Sequence, residues 1–96
     1  MEVQFRTKKL QKCFEKYKEA SRAWGDKVAR RYIERIQVLQ NANSVEEVAT
    51  FPFKHHILSG DRVGEHVIWL TEKYRLHFAV SDDVVTVLEV TKHYGD

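Results

Sequence analysis

Residues 74–92 have the sequence YRLHFAVSDDVVTVLEVTK, and this stretch decides the fold. Two runs that together are rich in β-branched and aromatic residues, Tyr74–Val80 and Val84–Lys92, flank the dipeptide Asp82-Asp83. Runs of this kind favour strands, and acidic residues suit a tight turn between them. The pattern therefore predicts an antiparallel hairpin. With a two-residue turn, residue 75 is expected opposite residue 90.

This register predicts that Arg75 shares a face of the hairpin with side chains of the second strand and of the residues that follow it. The expected neighbours on that face are Leu88, Val90, Lys92 and, beyond the strand, Tyr94. His93, where the ladder frays, can turn toward the same place. A guanidinium, a phenol and an imidazole on one surface suit metal-free RNA cleavage, in which a 2′-hydroxyl attacks its own phosphate. The alternative is a solvated arginine followed by an unstructured tail.

The rest of the chain predicts three further strands and a pair of helices upstream of the hairpin. Thr7 is expected to cap a first helix, Gly25 to end it, and Asp26 to begin a second helix that ends at Asn41 to Asn43. Ser44 and Glu47 form a capping box for a short turn that ends before Pro52. The strands are expected at Val3–Phe5, Phe53–Leu58 and Glu65–Leu70, with His66, Ile68 and Leu70 on one face.

Helical periodicity predicts which residues of the two helices are buried. The first helix has its apolar positions at Leu10, Cys13, Phe14, Tyr17 and Ala20, so Cys13 is expected to pack as a small hydrophobe. The second has a stripe of Val28 or Ala29, Tyr32 or Ile33, Ile36 and Leu39. Four basic residues lie off that stripe and predict a basic outer surface: Lys27, Arg30, Arg31 and Arg35.

The element order is therefore βααββββ, which predicts an α+β fold. We expect an N-terminal strand and a helical hairpin packed on one face of a mostly antiparallel twisted sheet. The other face is expected to be free and to carry the function. With 96 residues, the chain has room for one domain, residues 1–96, which excludes two-domain enzymes.

Charge and cysteine content limit the partners of such a domain. Residues 1–40 hold eleven Lys and Arg against five Asp and Glu, and residues 41–96 hold five against nine. A basic first half suits a phosphate backbone or an acidic partner, or is simply a solvated helical surface. One cysteine and the lack of a signal-like or membrane-spanning stretch predict a cytoplasmic protein without membrane contact.

The histidines show no spacing that predicts a metal site. His55 and His56 are adjacent in a predicted strand, so they point to opposite faces and cannot bind one ion together. No cysteine pair and no His-x-x-x-His motif supports zinc. The sequence therefore predicts neither a metal nor any other cofactor.

Three segments of the second half resemble the RelE/HigB/YoeB family of bacterial toxins. They are residues 54–64 (KHHILSGDRVG), 71–80 (TEKYRLHFAV) and 87–94 (VLEVTKHY). Each motif is weak alone, but three in the same order are fairly specific. The resemblance covers residues 50–96 and implies the RelE-like fold. It also implies the toxin of a type II toxin–antitoxin system, which cleaves mRNA in the ribosomal A site and is neutralised by a cognate antitoxin.

The resemblance implies roles for four residues. Arg75 matches the arginine that stabilises the scissile phosphate, and His56 occupies the position of a proposed general base. His93 and Tyr94 match the general acid and a residue that orients or stacks on the substrate. Ser59 stands where a lysine is common, and the order His93-Tyr94 differs from the HigB branch, so acid and base remain unassigned. His66 and His77 match no site residue and are interpreted as structural or surface positions.

Further contacts are expected with RNA and other partners. The residues expected to contact RNA or the ribosome are Lys27, Arg30, Arg31, Arg35, Arg62 and Lys92. Operator DNA is expected to bind only the toxin–antitoxin complex. Two alternatives stay open: a ParE-like toxin that inhibits DNA gyrase without catalytic residues of its own, and a non-enzymatic RNA-binding or regulatory module.

Overall fold

A computed structural model describes residues 1–93 of the chain, with a helical layer packed on a five-stranded sheet. The strands and helices, in chain order, are β1 (Glu2–Phe5), α1 (Lys8–Glu15), α2 (Tyr17–Trp24), α3 (Asp26–Asn41), α4 (Val45–Val48), β2 (His56–Ile57), β3 (His66–Trp69), β4 (Tyr74–Ser81) and β5 (Val84–Lys92). Within the described part, no helix is long and apolar enough to cross a lipid bilayer.

The first predicted helix is two helices, α1 and α2, which meet at Lys16. Lys16 has extended backbone angles, φ −130° and ψ 106°, so the helix is interrupted there. The Thr7 cap is confirmed, because its side chain accepts a hydrogen bond from the Leu10 amide over 3.2 Å. The interruption turns Tyr17 outward while Ala20 stays buried, so Tyr17 is not part of the apolar stripe. Cys13 is 1% exposed, as expected of a small core residue.

Helix α3 begins at Asp26, directly after Gly25, whose positive φ of 87° favours glycine. Its buried face includes Val28, Tyr32, Ile36 and Leu39, as the periodicity predicts. The prediction was wrong for Arg35, which is 8% exposed rather than on an outer surface. Arg35 lies at the border of the apolar stripe, and its guanidinium carbon stacks 3.9 Å from the centre of the Phe53 ring.

The strands are hydrogen-bonded in the order β1-β5-β4-β3-β2. Strand β1 is parallel to β5 and the other pairs are antiparallel, which confirms the predicted α+β fold on a mostly antiparallel sheet. Two strands are shorter than predicted. The stretch 53–58 forms only the two-residue strand β2, and residues 65–70 form the four-residue strand β3. The face of the sheet that packs against the helices carries the buried side chains of Ile68, Leu76 and Phe78.

The β4–β5 hairpin has the predicted turn and a different register. Asp82 and Asp83 both have positive φ, 51° and 64°, and Ser81 pairs with Val84. A β-bulge beside His77 and Phe78 then adds one residue on β5, so Arg75 lies opposite Thr91 instead of residue 90.

The bulge changes which residues share a face. On the sheet face away from the helices, Arg75 has Thr91 as its partner, and His77 has Glu89. Val90 faces the core opposite Leu76, so the predicted companions Val90 and Lys92 are not on the face of Arg75. We call the face that carries Arg75, His77 and Glu89 the outer face.

Candidate functional site

Arg75 is held in one orientation by the neighbouring strand and by the β3–β4 loop. Its guanidinium carbon lies 3.8 Å from the centre of the Trp69 ring. Its Nη1 donates hydrogen bonds to the carbonyl oxygens of Thr71, Glu72 and Tyr74 over 2.9, 3.0 and 3.2 Å. Burial lowers the pKa of the Arg75 guanidinium, yet an arginine stays charged in proteins.

These contacts leave one edge of the guanidinium available. Within residues 1–93, no hydrogen bond from Nε or Nη2 of Arg75 is found. Arg75 is 8% exposed, so a ligand can reach it only along a narrow approach. Two parallel N–H groups on such an edge match the oxygens of a phosphate. The arrangement therefore suits a fixed, single-sided contact with an anion.

His93 lies just beyond β5, at the end of the hairpin that carries this arginine. Its side chain is exposed, and its backbone amide donates to the Lys73 carbonyl over 2.5 Å. Strand alternation extended one residue past β5 puts His93 on the face of Thr91, the partner of Arg75, and ideal strand spacings put its Cα about 8 Å from that of Arg75. Tyr94, the other predicted residue at this end, lies outside the described residues.

His56 is on the same outer face but farther away. It is exposed and pairs with Val67 on β3, which in turn pairs with His77 on β4. Two strand spacings and a two-residue offset place its Cα about 12 Å from that of Arg75. The Nδ1 atom of His56 lies 3.2 Å from the Lys54 carbonyl oxygen. His56, Arg75 and His93 thus share one face without touching one another.

A basic groove of about 220 Å³ lies at the same end of the sheet, between α3 and the β3–β4 loop. Trp69 forms part of its wall, and Lys54 Nζ lies 4.7 Å from the centre of that ring. Glu72 contributes the one carboxylate among the described residues that line it. The four basic residues that line the groove are Lys27, Arg31, Arg35 and Lys54. This excess of positive charge suits an anionic ligand.

The β3–β4 loop contacts the groove, the arginine and the C-terminal end together. The Leu70 carbonyl accepts a hydrogen bond from Arg31 over 3.3 Å, and the Thr71 carbonyl accepts one from Arg75. The Lys73 carbonyl accepts the amide of His93. One short loop therefore positions all three features.

The remaining predicted RNA contacts are placed differently. Arg30 is exposed on α3 and does not line the groove. Lys92 lies on the helix side of the sheet, with Nζ 6.0 Å from the centre of the Tyr74 ring. Arg62 is paired with the carboxylates of Glu65 and Glu89, which neutralise its charge. Of the predicted set, the structure brings together Lys27, Arg31 and Arg35.

The outer face also gathers residues that the sequence analysis did not connect. Ligand atoms of Glu65, His77 and Glu89 lie within 4.8 Å of one another. The three residues are each 12 positions apart along the chain, so they form no local motif. Strand alternation in the predicted register would put Glu89 on the face opposite Arg75, so the bulge on β5 is needed to bring the three together and no local signal in the sequence could have found them. His77 is buried, which excludes the surface position that the sequence analysis allowed.

Comparisons with known proteins place this geometry in a fold family. No family model matches the chain, and no curated protein sequence matches it.

Among solved structures, the YoeB/ParE toxin from Agrobacterium tumefaciens is similar with a TM-score of 0.68 at 17% identity, over 98% of this chain and 100% of that one. The YoeB-YefM complex from Staphylococcus aureus gives 0.65 at 17% identity, covering 98% of both chains. A YafQ mutant from E. coli gives 0.64 at 13% identity, over 95% of this chain and 91% of that one. The chain therefore has the α+β fold of the RelE/YoeB-type toxins.

Proposed function

We propose that this protein is the toxin of a type II toxin–antitoxin pair and cleaves mRNA on the ribosome without a metal ion. The observation that carries the proposal is the fixed guanidinium of Arg75, which shares the outer face with His56 and His93 and adjoins the basic groove. The fold supports a toxin, because the similar structures are of toxins.

The proposed reaction uses groups of this chain alone. The 2′-hydroxyl of a nucleotide loses its proton to one imidazole, attacks the adjacent phosphorus and forms a 2′,3′-cyclic phosphate. A second group protonates the leaving 5′-oxygen, and the free edge of Arg75 stabilises the charge on the pentavalent phosphorane. His56 and His93 are the two imidazoles, with Tyr94 expected to orient the substrate. The basic groove holds flanking phosphates, which would orient the strand across the outer face.

We also propose partners for this activity. A cognate antitoxin is expected to cover the toxin, as one similar structure is a YoeB-YefM complex. Operator DNA is expected to bind only the joint complex. Cytoplasmic localisation follows from the ribosome as the site of action.

The termini of the RNA products test the proposal. Purified protein is mixed with ribosomes programmed with a defined mRNA, in magnesium buffer containing a chelator of transition metals, and both fragments are analysed. We expect a 2′,3′-cyclic or 3′-phosphate on one fragment and a 5′-hydroxyl on the other. A 5′-phosphate product, as from metal-activated water, would contradict the mechanism.

The same protein preparation separates the alternatives. Absence of mRNA cleavage together with inhibition of DNA gyrase supercoiling would favour the alternative of a ParE-like toxin. The similar structure from Agrobacterium tumefaciens is itself named a YoeB/ParE toxin. Salt-sensitive RNA binding with neither activity would favour a non-enzymatic module.

A further inference from the structure

A three-residue cluster on the outer face lies outside the proposed cleavage site. Glu65 precedes β3, His77 lies in β4 and Glu89 lies in β5, so the cluster spans three adjacent strands. Glu65 is 8% exposed and His77 7%, while the Glu89 side chain is 32% exposed. Two carboxylates and an imidazole within 4.8 Å are ligand types that zinc-like divalent cations take up.

His77 supplies a buried nitrogen without a hydrogen-bond partner. Its Nε2 lies 2.7 Å from the Thr91 hydroxyl, which fixes the ring orientation. Its Nδ1 is buried, makes no hydrogen bond within residues 1–93 and lies 3.4 Å from Glu65 Oε1. When Nε2–H donates to Thr91, the Nδ1 lone pair is directed toward the two carboxylates, where a cation would complete the contacts.

Arg62 is the cation that these carboxylates now contact. Its Nε lies 2.6 Å from Glu65 Oε2, and its Nη2 contacts both Glu65 and Glu89. Arg62 belongs to the exposed 3₁₀ turn Gly60–Arg62, and its side chain is 44% exposed. One guanidinium therefore contacts two carboxylates from the solvent side, and among the described residues it makes no hydrogen bond to Nδ1 of His77. Because this arm is long and partly solvated, it can move aside without unfolding the sheet.

From this geometry we propose that Glu65, His77 and Glu89 bind one divalent transition-metal cation of the zinc class, in competition with Arg62. The two carboxylates give the site two negative charges, which one divalent cation balances and the single positive charge of a guanidinium does not. Three protein ligands leave a fourth tetrahedral position for water. The proposal is independent of the cleavage mechanism, which uses other residues. It revises the sequence-based expectation that the chain binds no metal.

The test uses the full chain without an affinity tag and zinc chloride as the probe. Calorimetric titration is expected to show one zinc ion per chain, and zinc is expected to raise the unfolding midpoint. Cobalt bound to the parent protein should show the visible absorption of an ion with nitrogen and oxygen ligands. This measurement requires no amino-acid substitution. Glu89→Gln and His77→Gln should each weaken zinc binding at least tenfold.

Arg62→Gln distinguishes a metal site from a purely structural ion-pair network. If Arg62 competes with the cation, its removal should tighten zinc binding by up to about fivefold. If the cluster serves only to hold the loop, Arg62→Gln should lower stability and no variant should bind zinc stoichiometrically. His55→Gln and Cys13→Ala are controls for the other nitrogen and sulfur ligands and should leave zinc binding unchanged. Equal zinc affinity in the parent, Glu89→Gln and His77→Gln would overturn the assignment.

Discussion

Arg75 has two kinds of contact that act on different parts of its side chain. The Trp69 ring packs on the flat face of the guanidinium, while three loop carbonyls accept hydrogen bonds from Nη1. Packing and hydrogen bonding together restrict rotation, so the free edge is presented in one direction. Preorganised charge of this kind needs no rearrangement when the phosphorane forms.

Replacing Arg75 by lysine tests this geometry. An ammonium group keeps the charge but cannot stack flat on Trp69 and hold the loop carbonyls while offering two donors to a phosphate. We expect single-turnover cleavage on programmed ribosomes to fall about 100-fold and the free energy of unfolding to fall by about 1 to 3 kcal/mol. Arg22→Lys, at an exposed arginine of α2, is the matched control and should change cleavage less than about threefold. A parental rate for Arg75→Lys would remove Arg75 from the catalytic residues.

His93 offers a test in which stability is not expected to change. Its side chain is exposed and lies beyond β5, while only its backbone amide contacts the Lys73 carbonyl. His93→Gln keeps that amide and removes the titrating imidazole. We expect cleavage to fall on the order of 100-fold with the unfolding free energy within about 0.5 kcal/mol of the parent. Full cleavage by this variant would assign the proton transfers to other residues.

At the level of elements, the β4–β5 hairpin decides where these residues lie. Its turn places Asp82 and Asp83 in the left-handed region of backbone angles. Its bulge changes the cross-strand partner of Arg75 from residue 90 to Thr91. Without the extra residue on β5, Thr91 and Glu89 would turn toward the helices. The bulge therefore places His77 and Glu89 on one face and lets Thr91 orient His77.

The turn predicts a stabilising substitution, Asp83→Gly. An L-residue with positive φ is strained, whereas Asp-Gly suits this two-residue turn. We expect the free energy of unfolding in urea to rise by about 0.5 to 1 kcal/mol. The same change at Asp61, which lacks a positive φ, should lower it, since glycine increases the entropy of the unfolded chain. A loss of stability in Asp83→Gly would contradict this description of the turn.

At the level of the whole molecule, the basic groove lies between α3 and the β3–β4 loop of the sheet. Removing two of its charges, in Lys27→Gln/Lys54→Gln, should weaken single-stranded RNA binding and reduce the slope of log affinity against log salt concentration by about 1.4. The pair Lys16→Gln/Lys18→Gln removes the same charge from the α1–α2 region and should change the slope by less. Equal slopes for the two double variants would show that net charge, and not the groove, determines binding.

Buried histidines predict how stability depends on pH. Burial lowers the pKa of His55, His66 and His77, and the Nε2 of His55 lies 2.9 Å from Nδ1 of His66. Below the unfolded-state pKa of about 6.5, the unfolded chain therefore binds more protons than the folded chain. We expect the free energy of unfolding to decrease as pH falls from 7.5 to 5.5. Urea titrations across this range measure it, and His55→Gln should make the dependence shallower.

The sequence by itself determined the order of the elements and much of the core. Local periodicity predicted α3 and the β4–β5 hairpin, because helix and strand patterns depend on residues a few positions apart. The predicted hairpin register also singled out Arg75 and His93, and the resemblance to the toxin family added His56 on the same face; their catalytic roles remain predictions, and Tyr94 lies outside the described residues.

Only the tertiary structure decided the register of Arg75, the burial of Arg35 and the meeting of Glu65, His77 and Glu89. Leu88 is the extra residue of the bulge. A bulge depends on how two strands pair across the sheet, so no local sequence pattern at Leu88 predicts it. Arg35 is buried because Phe53, 18 residues later, packs against its guanidinium. The cluster on the outer face exists because sheet pairing joins distant segments, which spacing along the chain cannot express.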